Sequence, residues 1–202
     1  MQDRMSISRH AGAQSRNSVA WRHTLWLSLL VAASVVFSFG FACAVPFAAF
    51  GAIAALTLSR RDALLLTVAV WLANQLVGFA FLNYPWTAST LAWGVILGAV
   101  AVLSTVAARG TARLLERRAA AVVSLGAFAG AFIAYEGGLF LVSATLMGGT
   151  ENFLPAIVFR ILAINAAAFL GLLVLNRLAV IGGLVTRPAS PYAVAAHGYR
   201  AP

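Results

Sequence analysis

The sequence predicts an all-α polytopic membrane protein with six transmembrane helices and both termini in the cytoplasm. Its 202 residues are 62% hydrophobic and 9% charged, with a mean hydropathy of +0.92. Soluble domains carry about 25% charged residues, so this chain lacks the polar surface to cover a water-soluble globule. Its apolar residues fall into six runs, at 25–43, 46–58, 63–82, 88–108, 119–147 and 153–176. Its basic residues are all arginine, and all but Arg160 fall in the terminal segments or in alternate connections between runs. The expected organisation is a flexible cytoplasmic tail over 1–22, a six-helix transmembrane domain over 23–180 and a second cytoplasmic tail over 181–202.

The first run follows a polar segment carrying Arg4, Arg9, Arg16 and Arg22. A basic start, an apolar run and Ala42-Cys43-Ala44 resemble a signal peptide. The run over 25–41 is longer than a usual signal core of about 7–15 residues, and removing it would break the charge alternation, so it is expected to stay as a span. The second run is short against the roughly 20 residues of a full span. With Pro46 placed to start a helix, runs one and two read as a tight hairpin. Ala44, Ala48 and Ala52 recur every fourth residue, a stripe that permits close packing within the protein or against a partner. Run five is long enough to tilt or to reach out of the bilayer.

Arg60 and Arg61 follow run two, Arg109, Arg113, Arg117 and Arg118 follow run four, and Arg177 and Arg187 follow run six. The connections around Cys43, at 83–88 and at 148–152 contain no arginine. Positively charged connections face the cytoplasm, which leaves three short outer loops. The net charge of +9 is accounted for by topology, and no nucleic-acid partner is expected. The two halves of the chain do not align, so an inverted-repeat transporter is not supported. No phosphate loop, nucleophile elbow or paired metal-ligand spacing occurs, and His10, His23 and His197 read as surface residues.

Residues that could carry chemistry gather in the outer loops. Cys43 is the sole cysteine, beside a proline at the outer mouth. It is either one more small hydrophobe or a soft ligand for a metal centre. Asn83, Tyr84 and Trp86, followed by Trp93, form either an interfacial aromatic belt or a wall for a large planar ligand. Glu151 and Asn152, in a Gly-rich loop, are either rim hydrogen-bond partners or, with Thr150, part of a cap on the sixth helix. Within the bilayer, charges demand partners. Arg160 lies roughly 12 Å down the sixth run and Glu136 roughly 18 Å down the fifth, so the two could pair, structurally or around a substrate. Asn74 and Gln75 are either interhelical hydrogen-bond partners or the floor of a polar cavity.

Six spans, inward termini, capping outer loops and an alanine stripe on an early helix resemble the S components of energy-coupling factor (ECF) transporters. Within that group, a solitary cysteine near the outer face is similar to the BtuM cobalamin transporters. The resemblance rests on Cys43 and on the stretches CAVPFAAFGAIAAL and WLANQLVGFAFLNYPW. It implies a multi-pass protein of the bacterial inner membrane that captures a vitamin, cobalamin first, from outside. It implies that Cys43 ligates the corrinoid cobalt, in a step linked to removal of an upper cyanide ligand, so that decyanation would be its only enzymic act. Asn83, Tyr84, Trp86, Trp93, Glu151 and Asn152 would supply walls and rim, and an ECF ATPase module on other chains is a possible partner. Two other readings stand beside it. One is a non-transporting accessory subunit of a larger membrane complex. The other is a small channel lined by Glu136, Arg160 and Asn165.

Overall fold

The computed structural model describes the backbone of residues 2–41 and 45–185, and the side chains of residues 21–40 and 45–185. Cys43, with Ala42 and Ala44, lies outside the described residues, as does everything after residue 185. The protein is an all-α polytopic membrane protein. Its helices are α1 (Gln2–Phe41), α2 (Phe47–Thr57), α3 (Arg60–Ala80), α4 (Ala88–Leu114), α5 (Ala120–Val142) and α6 (Pro155–Ile181). A π-helical turn, Ser143–Met147, prolongs α5, and a 3₁₀ turn, Thr150–Phe153, precedes α6. Five helices are long and apolar enough to cross a membrane, with α1 contributing Trp21–Gly40. The backbone of α1 is helical from Gln2, where the sequence had suggested a tail. No proline interrupts residues 1–41, so nothing in that stretch removes an internal backbone donor.

Helix α2 has 11 residues and a length of roughly 16 Å at 1.5 Å per residue, about half of a hydrocarbon core. It is apolar on every side, the pattern of a helix enclosed by protein. Ala48, Ala49, Ala52, Ile53 and Ala54 are fully buried. Helices α3, α4, α5 and α6 all pack against it, while α1 packs on α3. Ala48 and Ala52 of the alanine stripe thus belong to the interior. Ala48 and Ala52 face neighbouring helices and are not available as a docking face, because a helix flanked on all sides has no free stripe to offer.

Small residues set how closely the other helices approach α2. A Cβ on Gly51 would lie 3.0 Å from Thr105 Oγ1 and 3.3 Å from Ser104 Oγ. Both hydroxyls are already engaged: Ser104 donates to the Ala131 carbonyl on α5 at 2.9 Å, and Thr105 shares a 2.7 Å hydrogen bond with Thr67 on α3. In a bilayer such packing and interhelical hydrogen bonding hold helices together, since lipid tails are as apolar as the helix faces.

The start of α2 raises an accounting problem. The first backbone N–H groups of a helix have no partner in their own helix, and here they are buried. Phe47 N–H is taken by the Val45 carbonyl at 2.8 Å. Ala49 N–H donates to Asn165 Oδ1 at 3.2 Å, from a side chain with no exposed surface on α6. Asn165 Nδ2 donates to the Ile161 carbonyl at 3.0 Å, which fixes its orientation. An asparagine in mid-span therefore caps a different helix.

The ends of the bundle are chemically distinct. At one end Arg22 reaches the Gly183 carbonyl at 3.1 Å, His23 approaches Asp62 at 3.5 Å, and Arg109 donates to the Leu58 carbonyl at 3.3 Å. Ser59 caps α3 there through Asp62 N–H. The other end is aromatic: Phe39 meets Phe81, Phe79 meets Tyr84 and Trp86, and Phe140 meets Phe153. At that end α6 begins with Pro155 and no side-chain cap. Thr150 and Asn152 therefore do not cap it; the Asn152 amide turns back to the Gly149 carbonyl at 3.1 Å.

Replacing Asn165 by leucine should strand the Ala49 donor and lower stability by about 1–3 kcal/mol. Gly51→Val should overpack the α2–α4 contact by a similar amount. Thermal unfolding in detergent measures both, and a melting temperature unchanged in either variant would contradict the packing described.

Candidate ligand-binding site

Two cavities adjoin at the aromatic, arginine-poor end. The larger, about 560 Å³, lies between α4, α5 and α6. Trp93 and Leu97 wall it from α4. Tyr135, Glu136, Leu139 and Ser143 do so from α5, and Ile157, Arg160, Ile161 and Ile164 from α6. Asn152 and Phe153 close it from the 3₁₀ turn, and Val45 forms part of its floor. The smaller cavity, about 210 Å³, lies toward α3 and is lined by Asn74, Gln75, Tyr84, Thr90 and Gly94. Val45, Trp93, Leu97 and Tyr135 line both, so the cavities share one wall.

Helical periodicity explains why these side chains converge. Glu136, Leu139 and Ser143 are three and then four residues apart on α5. Ile157, Arg160, Ile161 and Ile164 keep the same spacing on α6, and Trp93 and Leu97 lie one turn apart on α4. Each set forms a single face. Helices α5 and α6 both rest on α2 but scarcely touch each other, and the larger cavity occupies the gap between them. Ser143, buried, opens the π turn, and its carbonyl accepts Gly148 N–H at 2.9 Å; single π turns recur at functional sites.

The polar groups are few and opposed in charge. Glu136 is 8% exposed, and its Oε1 has no hydrogen-bond partner. Arg160 lines the same cavity and is exposed. Among the described residues Glu136 and Arg160 do not form a salt bridge with each other. The pairing expected from their depths is thus replaced by a shared cavity, because α5 and α6 are held apart where the side chains face each other. In the smaller cavity Asn74 Oδ1 accepts from Ser38 on α1 at 3.3 Å. Asn74 is both an interhelical partner and part of a cavity wall, so the two readings of that residue coincide.

Of the residues singled out in the sequence, Trp93, Tyr84 and Asn152 line the cavities. Asn83 does not: it is exposed at a turn with φ 55°. Trp86 is 75% exposed and packs on Phe79 at a tilt of 35° with ring centroids 4.5 Å apart, outside the cavities. Glu151 is exposed and lines neither. Cys43 falls outside the described residues; Val45, two positions on in the chain, lines both cavities. Sequence reasoning missed Tyr135, Ser143 and Phe153. The helical face running through the intramembrane Glu136 was the available signal for Ser143. No family model, curated protein or solved structure matches this chain.

A buried carboxyl oxygen without a partner is costly. Glu136→Gln or Glu136→Met should therefore raise thermal stability of the ligand-free protein by about 1–2 kcal/mol, as substitutions at sites kept for function commonly do. A fall in melting temperature for both variants would mean that Glu136 holds the helices together.

Proposed function

We propose that this protein is a substrate-capture component for uptake of a vitamin across the bacterial inner membrane, with the arginine-poor end facing outward. The observation that carries this reading is a cavity of about 560 Å³ in which an unpartnered buried Glu136 and Arg160 face a common space walled by Trp93, Tyr135 and Phe153. Ligand sites are concave, mostly apolar and furnished with a few convergent polar groups, in a range of about 300–1,000 Å³. A purely structural bundle gains nothing from leaving a carboxyl unsatisfied beside an unfilled gap. The arginines at the other end support an outward orientation of this one.

The leading ligand is cobalamin, with Cys43 as its axial cobalt ligand; Val45, two positions on in the sequence, lines the cavity. Among the described residues no three His, Cys, Asp or Glu side chains cluster. A metal-bearing ligand would have to bring its own equatorial donors, as a corrinoid does, and take a single axial one from the protein. Trp93 would lie along the ring and Asn152 at the amide rim, while the corrinoid would project from the cavity mouth. With the alanine stripe of α2 enclosed, any ATPase module would have to dock elsewhere.

Protein expressed with cobalamin should co-purify with a visible corrinoid spectrum, lost in Cys43→Ala and reduced in Trp93→Ala. A colourless wild-type protein would exclude cobalamin. Vitamin capture in the broader sense predicts that one compound of a vitamin panel, at about 100 times its dissociation constant, stabilises the protein by about 2.7 kcal/mol. That gain should shrink in Arg160→Ala. If no compound shifts the melting temperature, the capture reading fails.

A further inference from the structure

The two charges of the larger cavity lie at different depths. Helix α6 starts at the aromatic end with Pro155, and Arg160 lies five residues further in, roughly 8 Å at 1.5 Å per residue. Helix α5 runs the other way and reaches that end through the π turn that closes at Met147. Glu136 lies eleven residues before Met147, roughly 16 Å in on the same scale. Asn152 and Phe153 line the cavity near its mouth. From the mouth inward, the cavity therefore presents a polar rim, then a cation, then an anion near the floor.

Between the two charges the lining is apolar. Beyond Arg160, α6 presents Ile161 and Ile164, and α5 presents Leu139 one turn outward of Glu136. The rings of Trp93 and Tyr135 complete the walls. Glu136 is 8% exposed, its Oε1 accepts no hydrogen bond, and it forms no salt bridge with Arg160. Charged groups within a membrane span call for a partner or a polar cavity. Here a carboxyl and a guanidinium face one cavity at depths that differ by roughly 8 Å, with no contact between them.

This layout discriminates among guests. An anion alone could pair with Arg160, but it would leave the Glu136 oxygen without a donor and bring like charge toward it. A cation alone could satisfy Glu136, but it would have to pass Arg160 and remain near it. A neutral apolar molecule would take water from both groups and return no hydrogen bond to either. A molecule with an N–H donor at one end, an anionic group at the other and an apolar middle satisfies both groups at once. We infer that the ligand of this cavity is amphoteric and enters donor first, with its N–H group on Glu136 near the floor and its anionic group on Arg160 nearer the mouth. The inference rests on the capture reading of the same cavity and adds the chemical class of the guest. A corrinoid belongs to that class through its amide N–H groups and its phosphodiester.

Matched ring compounds test the class apart from any vitamin. 4-(Aminomethyl)benzoate carries an ammonium and a carboxylate across a ring, and 2-(aminomethyl)benzoate carries the same groups side by side. Benzylamine and benzoate carry one each. Thermal unfolding of the full chain in neutral detergent, titrated with each compound, ranks their dissociation constants. The wild type should bind 4-(aminomethyl)benzoate about tenfold or more tighter than the other three, the factor expected for one charged hydrogen bond. Glu136→Gln should cancel its advantage over benzoate and keep that over benzylamine. Arg160→Gln should do the reverse, an exchange that a merely structural role for either residue would not produce. The wild-type ranking decides by itself should a variant fail to fold. The amphoteric site is overturned if benzylamine, benzoate or the 2-isomer binds the wild type as well as the 4-isomer, or if none of the four binds. A vitamin that stabilises the protein while these preferences are missing overturns the amphoteric site and leaves capture standing. The expected preferences together with a silent vitamin panel keep the site and remove vitamin capture.

Discussion

A helix of half the usual length, enclosed by its neighbours, is the constraint on which the rest of this structure depends. Helix α2 runs roughly 16 Å from Phe47 to Thr57, ending near Arg60 at the basic end. Its neighbours α4 and α6, at 27 residues each, run roughly 40 Å. The bundle is therefore filled along its axis at the arginine-rich end and lacks an axial helix at the other. Val45, immediately before α2, lies in the wall of both cavities at that end. The cavities are the space that a full-length second helix would have occupied.

Ending a helix inside a membrane protein leaves donors that water cannot reach, and Asn165 takes over the role water would have had. This couples the position of α6 to the start of α2. Helix α6 is anchored to the axis through Asn165, and it meets α5 over only a short stretch, where Phe169 stacks on Phe128 with ring centroids 5.0 Å apart. The gap above that anchor is where Glu136 and Arg160 face the same space. A direct Glu136–Arg160 bond would draw α5 and α6 together and fill the cavity with protein. Fixing α6 on α2 lower down keeps the opposed charges available to something other than each other.

The spans were legible because their signal is additive: each is 20 or more residues of nearly uncharged chain, and no single residue decides it. The brevity of α2 was legible from Pro46 and Arg60. Its central position was not, since an apolar helix facing protein and one facing lipid have the same composition. The alanine stripe was therefore open to two readings, and packing against four helices selected the interior one. Trp93, Tyr84 and Asn152 were found because polar and aromatic residues at an outer end are conspicuous in an apolar chain. Trp86 and Glu151 were equally conspicuous and lie outside the cavities, because which way a loop residue turns depends on contacts such as Phe79 against Trp86. Asn165 looked like a channel-lining residue and is a cap, a role that exists only once α2 is placed beside it.

The two ends of the bundle use charge in opposite ways, and the half-helix accounts for the difference. At the basic end α2 is present, the helices are in contact around it, and arginines lie on the periphery, where Arg109 braces the turn between α2 and α3. Two of them donate to backbone carbonyls, Arg22 to Gly183 and Arg109 to Leu58. At the other end the axis is missing, so the few charged groups in the apolar span turn inward onto the gap. Glu136 is the clearest case. It is held nine-tenths buried in a helix whose neighbouring positions are alanine, glycine and tyrosine, with no partner for Oε1. A carboxyl in that setting raises the energy of the empty protein, and a ligand that supplies a donor lowers it again. The unpartnered carboxyl thus costs stability at this end, while at the basic end the Ser59 cap and the Arg109 bond to the Leu58 carbonyl add to the packing.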